Sequence, residues 1–203
     1  WRSAAAPRAC KEFQRAAVAE LSRTVKRGDV VFLPGLRIAR ISDSWAGRPI
    51  RERLRPKEKE AMYREALATL TTLSSTGAAV VLEAPLPVFP SPAFRCSDWF
   101  NRANPICRRG MRSGRAEMEA RRAPVVARMR LLAASVPNLT VWDPFPVICP
   151  GEVCTVYRDG HPLFIDTDHL SGRGNDLLYP SFAHAVEVAR RARMASHGGS
   201  ARR

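Results

Sequence analysis

Apolar residues recur along the chain in two alternating rhythms. Between Lys11 and Arg27 they fall at Phe13, Ala17, Leu21 and Val25, one face of a helix, and Gly28 follows as a stop. Val30–Leu33 is a continuous apolar run of buried-strand length, closed by Pro34 and Gly35. Pro56 suits a helix first turn, and Met62, Ala66, Leu70 and Leu73 continue as one apolar stripe up to Gly77. Ala78–Leu82 is a second apolar run. The Pro-rich stretch Pro85–Pro92 behind it fits neither a helix interior nor a central strand, and is predicted to be a loop. Arg115–Ser135 predicts a long helix and Leu139–Trp142 a third short strand. Asp159–Gly160 predicts a hairpin turn, and Gly172–Met194 a last helix with a break near Pro180.

Strands that alternate with helices predict an α/β fold on a parallel sheet. In such sheets function gathers in the loops that leave the strands' C-terminal ends. Here those are the loops after Leu33, after Leu82 and after Trp142. The 203 residues suffice for one domain with its own core, expected over 1–195, with Ser196–Arg203 as a disordered tail. No apolar run has the length of a membrane-spanning helix. The first residue is Trp1 and the start lacks a signal-peptide core, so any export signal is expected upstream.

The formal net charge of +14 has two readings. One is a polyanionic partner, the other a set of arginines spread over solvated helix faces. The arginines are dispersed, with dense groups only at Arg121–Arg122 and Arg190–Arg193. No zinc-finger, helix-turn-helix or aromatic-basic RNA motif accompanies them, so nucleic acid is not expected as a partner. The five cysteines form no Cys-x-x-Cys pair, which speaks against a zinc ribbon. Cys149 and Cys154 bracket a short turn, and Cys96 and Cys107 a polar Pro-containing loop; each pair suits a small disulfide loop. Cys10 is left over, and a partner for it is expected outside the sequence. Two or three disulfides imply an oxidising compartment; the alternative is five reduced thiols in the cytosol.

Candidate chemistry concentrates in Phe164-Ile165-Asp166-Thr167-Asp168-His169-Leu170-Ser171. An Asp three residues ahead of a His can hold its imidazole in one tautomer and stabilise the imidazolium formed when it takes a serine proton. The same residues also suit helix capping, with Ser171 or Asp168 as the cap. His161, His184 and His197 read as exposed or helix-face residues, no spacing suggests a metal, and no glycine loop suits a phosphate. Trp45, Trp99 and Trp142 suit either core packing or stacking on a sugar.

Four blocks, in order, resemble the SGNH domain of acyltransferase-3 family proteins, the membrane O-acyltransferases of bacterial polysaccharides. They are Gly28–Arg37, Val80–Pro87, Asp143-Pro144 with Cys149 and Cys154, and Asp159–Ser171 with its Asp-x-x-His-Leu-Ser core. The resemblance covers Cys10 to Phe182. It implies an SGNH-hydrolase-like (flavodoxin-like) three-layer sandwich, with its N-terminal strand missing from this sequence. It further implies His169 as catalytic base and Asp166 as its orienting carboxylate. Gly35 and Arg37 become candidates for oxyanion or substrate binding. The family's nucleophile, a Ser in a Gly-Asp-Ser motif near the domain start, has no counterpart, since no Gly-Asp-Ser occurs here. The implied activity is acyl transfer to hydroxyls of a cell-surface glycan, with this chain alone inactive. A carbohydrate esterase or deacetylase of the same fold, or a non-catalytic glycan-binding remnant, are the alternatives. No cofactor is implied, because the acyl donor arrives as substrate. The expected partners are the glycan or an acylated small molecule, the N-terminal remainder of the domain and an acyltransferase membrane domain. The expected setting is periplasmic or extracytoplasmic, with the parent anchored in the inner membrane.

Overall fold

The computed structural model describes residues 8–34, 55–101 and 103–198. Its centre is a parallel sheet of three strands, β1 (Val30–Leu33), β2 (Ala79–Glu83) and β4 (Leu139–Trp142), in the order β1-β2-β4. Val30 lies opposite Ala79, and Val80 opposite Leu139. Every residue of β2 is buried, as a strand covered on both faces requires. The alternation of side chains divides two cores between those faces. Ala79 and Val81 face one core with Trp142, Phe145, Phe164 and Leu178. Val80 and Leu82 face the other with Leu70, Leu73, Val125, Met129 and Leu132.

The helices that supply these cores are α1 (Arg8–Thr24), α2 (Pro56–Ser75), α4 (Arg115–Ser135) and α6 (Gly172–Gly198). α1, α2 and most of α4's apolar stripe cover one face, and α6 the other, together with the short α5 (Phe145–Ile148). The result is a mixed α/β three-layer arrangement. α2 starts at Pro56 without losing a needed N–H, and Gly77 (φ +87°) ends the segment by returning its N–H to the Ser74 carbonyl. Each predicted strand and long helix is present, with boundaries shifted by at most three residues except at the end of α6. α6 reaches Gly198, so helix also covers Ser196–Gly198, where the tail was expected to begin.

The expected break at Pro180 is absent, and α4 likewise passes through Pro124. A proline within a helix frees the carbonyl four residues earlier. Those carbonyls belong to Asp176 and Ala120, both on solvent-exposed positions where water can take the lost bond. The hairpin at Asp159–Gly160 forms as expected. Tyr157–Arg158 (β6) pairs antiparallel with His161–Pro162 (β7), and both turn residues have positive φ. Several short elements had no signal in the periodicity. β3 (Arg112–Gly114) pairs antiparallel with β5 (Val153–Thr155), and α3 (Ala93–Ser97) opens the Cys96–Cys107 loop.

A partly buried ion pair ties the exits of β2 and β4 together. Arg122 donates Nη1 to Asp143 Oδ2 (3.0 Å) and Nη2 to Asp143 Oδ1, and its Nε to the Pro85 carbonyl (3.3 Å). Its guanidinium also lies 4.5 Å from the Phe145 ring centroid. Asp143 in turn accepts the Phe145 N–H at 3.0 Å. Arg122 is therefore committed inside the fold, and its neighbour Arg121 is paired with Glu117. This dense pair of arginines serves the helix and its surroundings rather than forming an open basic face.

Truncating the most buried strand should be costly and truncating an exposed helix residue should not. Leu82→Ala is expected to cost roughly 2–5 kcal/mol in urea unfolding. Phe13→Ala, at an exposed position on α1, is expected to cost less than about 0.5 kcal/mol.

Candidate active site

The segment 164–171 is a self-closed loop beside the β2 exit. Phe164 bridges Leu170 in antiparallel fashion, and the Ile165 N–H donates to the His169 carbonyl at 2.8 Å. The Ser171 N–H donates to the Leu163 carbonyl at 2.9 Å. The loop is then sewn to the Pro-rich stretch behind β2. The Phe89 N–H donates to the Thr167 carbonyl (2.8 Å), the Ala93 N–H to that of Asp166 (3.1 Å), and the Phe94 N–H to that of Ile165 (3.0 Å). The rings of Phe89 and Phe164 meet edge-on at 5.1 Å beneath.

Ser171 caps α6. Its Oγ accepts the Gly174 N–H at 3.1 Å and donates to the Pro162 carbonyl at 2.6 Å. Gly174 has a second role, because a Cβ there would stand 2.2 Å from the Leu163 carbonyl oxygen. Only glycine lets the first turn of α6 approach that backbone. Capping therefore falls to Ser171 rather than Asp168, and Asp166 is left to serve the imidazole.

The two oxygens of Asp166 divide their work. Oδ1 accepts the backbone N–H groups of Asp168 (3.0 Å) and His169 (2.8 Å), an Asx turn that fixes the carboxylate. Oδ2 sits 2.7 Å from His169 Nδ1. Partial burial pushes the Asp166 pKa up, but the two backbone N–H groups and the imidazole outweigh it and hold the carboxyl down at about 2. The hydrogen bond to Asp166 raises the His169 pKa, against a smaller opposing effect of burial. A bond at Nδ1 directs the neutral imidazole's lone pair to Nε2, and the His169 side chain is 60% exposed. Among the described residues, no side chain hydrogen-bonds Nε2.

Asp168 is the member of this group that spacing did not single out. Its Oδ1 lies 3.4 Å from His169 Nδ1 and accepts the Thr167 hydroxyl at 3.3 Å. Burial, then the neighbouring Asp166 charge, raise its pKa. Asp166, Asp168 and His169 offer ligand atoms within 4.8 Å of one another. The 2.7 Å contact is nevertheless that of a hydrogen bond, whereas a tetrahedral ion would spread two such ligands to about 3.4 Å. The donor set as placed thus fits a hydrogen-bonded dyad better than a metal site.

The remaining candidates separate. Cys96–Cys107 and Cys149–Cys154 are each joined as disulfides, with Cα atoms 5.4 Å and 4.8 Å apart. Gly35, Arg37 and Trp45 lie outside the described residues, and Cys10 and His197 lie where side chains are not described. Trp142 is core, its Nε1 donating to Ser181 Oγ at 3.0 Å, while Trp99 is exposed. Ser171 is occupied as the cap, and the buried Ser91 donates to the Ile106 carbonyl. Among the described residues no serine reaches His169.

A family model for the SGNH domain (fused to AT3 domains) matches residues 1–184. The chain belongs to this SGNH-domain family. No curated protein matches it. In fold, this SGNH domain is similar to the solved periplasmic domain of a lipopolysaccharide acetyltransferase from Salmonella ser. Paratyphi A. The TM-score is 0.52 at 13% identity, over 84% of this chain and 60% of that one. The chain thus spans less than two thirds of that structure, and the likeness speaks to the fold. Among the described residues no helix is long and apolar enough to cross a membrane.

The dyad predicts a titration with a definite sign. His169 should titrate above the ordinary histidine value of about 6.5 by NMR, and Asp166→Asn should lower its pKa. The stability drawn from the raised imidazole is complete below its unfolded pKa and fades as pH rises through the folded one. The part drawn from Asp166 is present above the ordinary carboxylate range and is lost as pH falls towards about 2.

Proposed function

We propose that this SGNH domain carries the base and orienting carboxylate of a serine acyl-transfer site that O-acylates a cell-surface glycan. The observation that carries the proposal is the 2.7 Å bond from His169 Nδ1 to a carboxylate already fixed by two backbone N–H groups, with Nε2 turned free to act. In this reading Nε2 takes the proton of a serine hydroxyl as its oxygen attacks the acyl carbonyl of the donor. The donor's leaving group departs with that proton, and an acyl-serine remains. Nε2 then takes the proton of a sugar hydroxyl as that oxygen attacks the acyl-serine, and returns it to the serine oxygen. Asp166 holds the tautomer throughout and stabilises the transient imidazolium.

The serine comes from outside this sequence, which contains no Gly-Asp-Ser. The chain alone is then inactive. Gly35 and Arg37, which follow β1 in sequence, are the proposed contributors to oxyanion or sugar binding. The acyl donor is a substrate, and the chemistry calls for no cofactor. Fusion to AT3 domains in the family supports a membrane acyltransferase domain as the working partner. The two disulfides support an oxidising, extracytoplasmic setting. Anchoring of the parent in the inner membrane rests on the proposed membrane domain alone.

One observation favours a second reading. Among the described residues His169 has no serine partner, which suits a glycan-binding remnant that kept the fold. Acyl transfer by the full-length protein, measured as ester incorporated into glycan at matched protein levels, separates the two. His169→Ala is expected to lower the rate by about two to four orders of magnitude, with the far-UV circular dichroism unchanged. Asp166→Asn should shift the acid limb of the pH–rate profile to lower pH and reduce the rate. Undiminished transfer in His169→Ala would move the binding reading to the front. Ester loss from the donor without incorporation into glycan would make the protein an esterase.

A further inference from the structure

We propose that the disulfide-closed loop Cys96–Cys107, together with Phe94 and Ile165, is a docking surface for an anionic lipid bilayer. The proposal stands apart from the acyl-transfer reading, because it uses none of the residues assigned to that chemistry. Its first support is apolar exposure concentrated in one place. Trp99 is 77% exposed, Phe94 67% and Phe100 64%, and Ile106 and Ile165 are exposed as well. Contiguous exposed apolar groups of this kind mark a place of contact.

These groups are held out rather than free to collapse. The Cys96–Cys107 bond closes the loop, Asn101 Nδ2 donates to the Arg95 carbonyl at 2.8 Å, and Ser91 Oγ donates to that of Ile106 at 2.9 Å. The Phe94 N–H anchors the carbonyl of Ile165. The Trp99 and Phe100 rings stand edge to face at 5.8 Å, a contact that leaves most of each ring in water.

The second support is charge. From Ala93 to Arg112 the sequence holds five arginines and one carboxylate, Asp98. Arg95, Arg108, Arg109 and Arg112 are exposed in the structure. Exposed aromatic rings and exposed arginines on one stretch of chain match a membrane boundary, where rings settle at headgroup depth and arginines meet anionic lipid. A sugar-stacking platform is the rival for the same rings. It has no use for exposed Ile106 and Ile165, which offer a sugar neither a ring face nor a hydrogen bond, so hydrocarbon is the better occupant. The Ala93 and Phe94 N–H bonds to the Asp166 and Ile165 carbonyls would carry the docked orientation directly to the loop that holds His169.

Vesicle flotation of the 203-residue chain tests this. The chain should float with phosphatidylethanolamine–phosphatidylglycerol vesicles and stay behind with phosphatidylcholine alone. The emission of Trp99 should shift to the blue on binding, a shift absent in Trp99→Phe. Trp99→Ser combined with Phe100→Ser should lower partitioning by roughly tenfold or more. Arg108→Ala with Arg109→Ala should lower it by about tenfold at low salt. Phe94→Ser, outside the disulfide loop, should weaken binding independently, and circular dichroism should match wild type for every variant used. Three results would each overturn the proposal. One is no flotation with anionic vesicles, and another is undiminished flotation of the Trp99/Phe100 variant, which would mean bulk charge attraction. The third is a Trp99 response to soluble oligosaccharide in a chain that does not float.

Discussion

β2 is sealed on both faces, and the geometry of the site follows from that burial. Its alternate side chains are shared between two apolar layers, so the strand cannot slip by one residue without exchanging the layers. Its C-terminal end therefore delivers Pro85–Pro92 and the start of α3 to a fixed place, and Phe89, Ala93 and Phe94 there supply the N–H groups to which the His169 loop is sewn. The Arg122–Asp143 pair acts at the same level. It locks the exit of β2 to that of β4, using a guanidinium that is costly to bury unless each of its bonds is met.

On this platform the dyad is built almost entirely from local contacts. Asp166 spends one oxygen on its own loop's backbone and the other on the imidazole, so the carboxylate that tunes the base also shapes the turn that presents it. Pulling the two roles apart by mutation is therefore asymmetric. An amide at position 166 keeps an acceptor for the backbone N–H groups while weakening the imidazole bond, whereas alanine loses both.

Much of this was legible from the residues. Short apolar runs marked β1, β2 and β4, most clearly β2, which is covered on both faces and leaves no polar alternation to confuse it with a loop. The Asp-x-x-His spacing was readable because the contact is made within one turn. What escaped was non-local. Nothing near Arg122 in sequence signals Asp143 or the Phe145 ring, and β3 meets β5 across α4, β4 and α5. Pro180 misled because the penalty for a proline depends on whether water can reach the freed carbonyl, a property of burial that the sequence pattern does not carry. Asp168 was hidden by its nearness to Asp166, since spacing alone cannot say which of two carboxylates turns towards the ring.

The stretch from Leu163 to Gly174 begins and ends on the same strand of backbone. Leu163 receives the Ser171 N–H, and Gly174 passes close by its carbonyl. Such a segment behaves as a cassette. Its ends are already adjacent, so its internal length can change without moving the helix that follows. The position of that helix instead depends on a single hydrogen atom at residue 174. Variation within the cassette can retune the chemistry, while any methyl group at that glycine would be felt along the whole of α6.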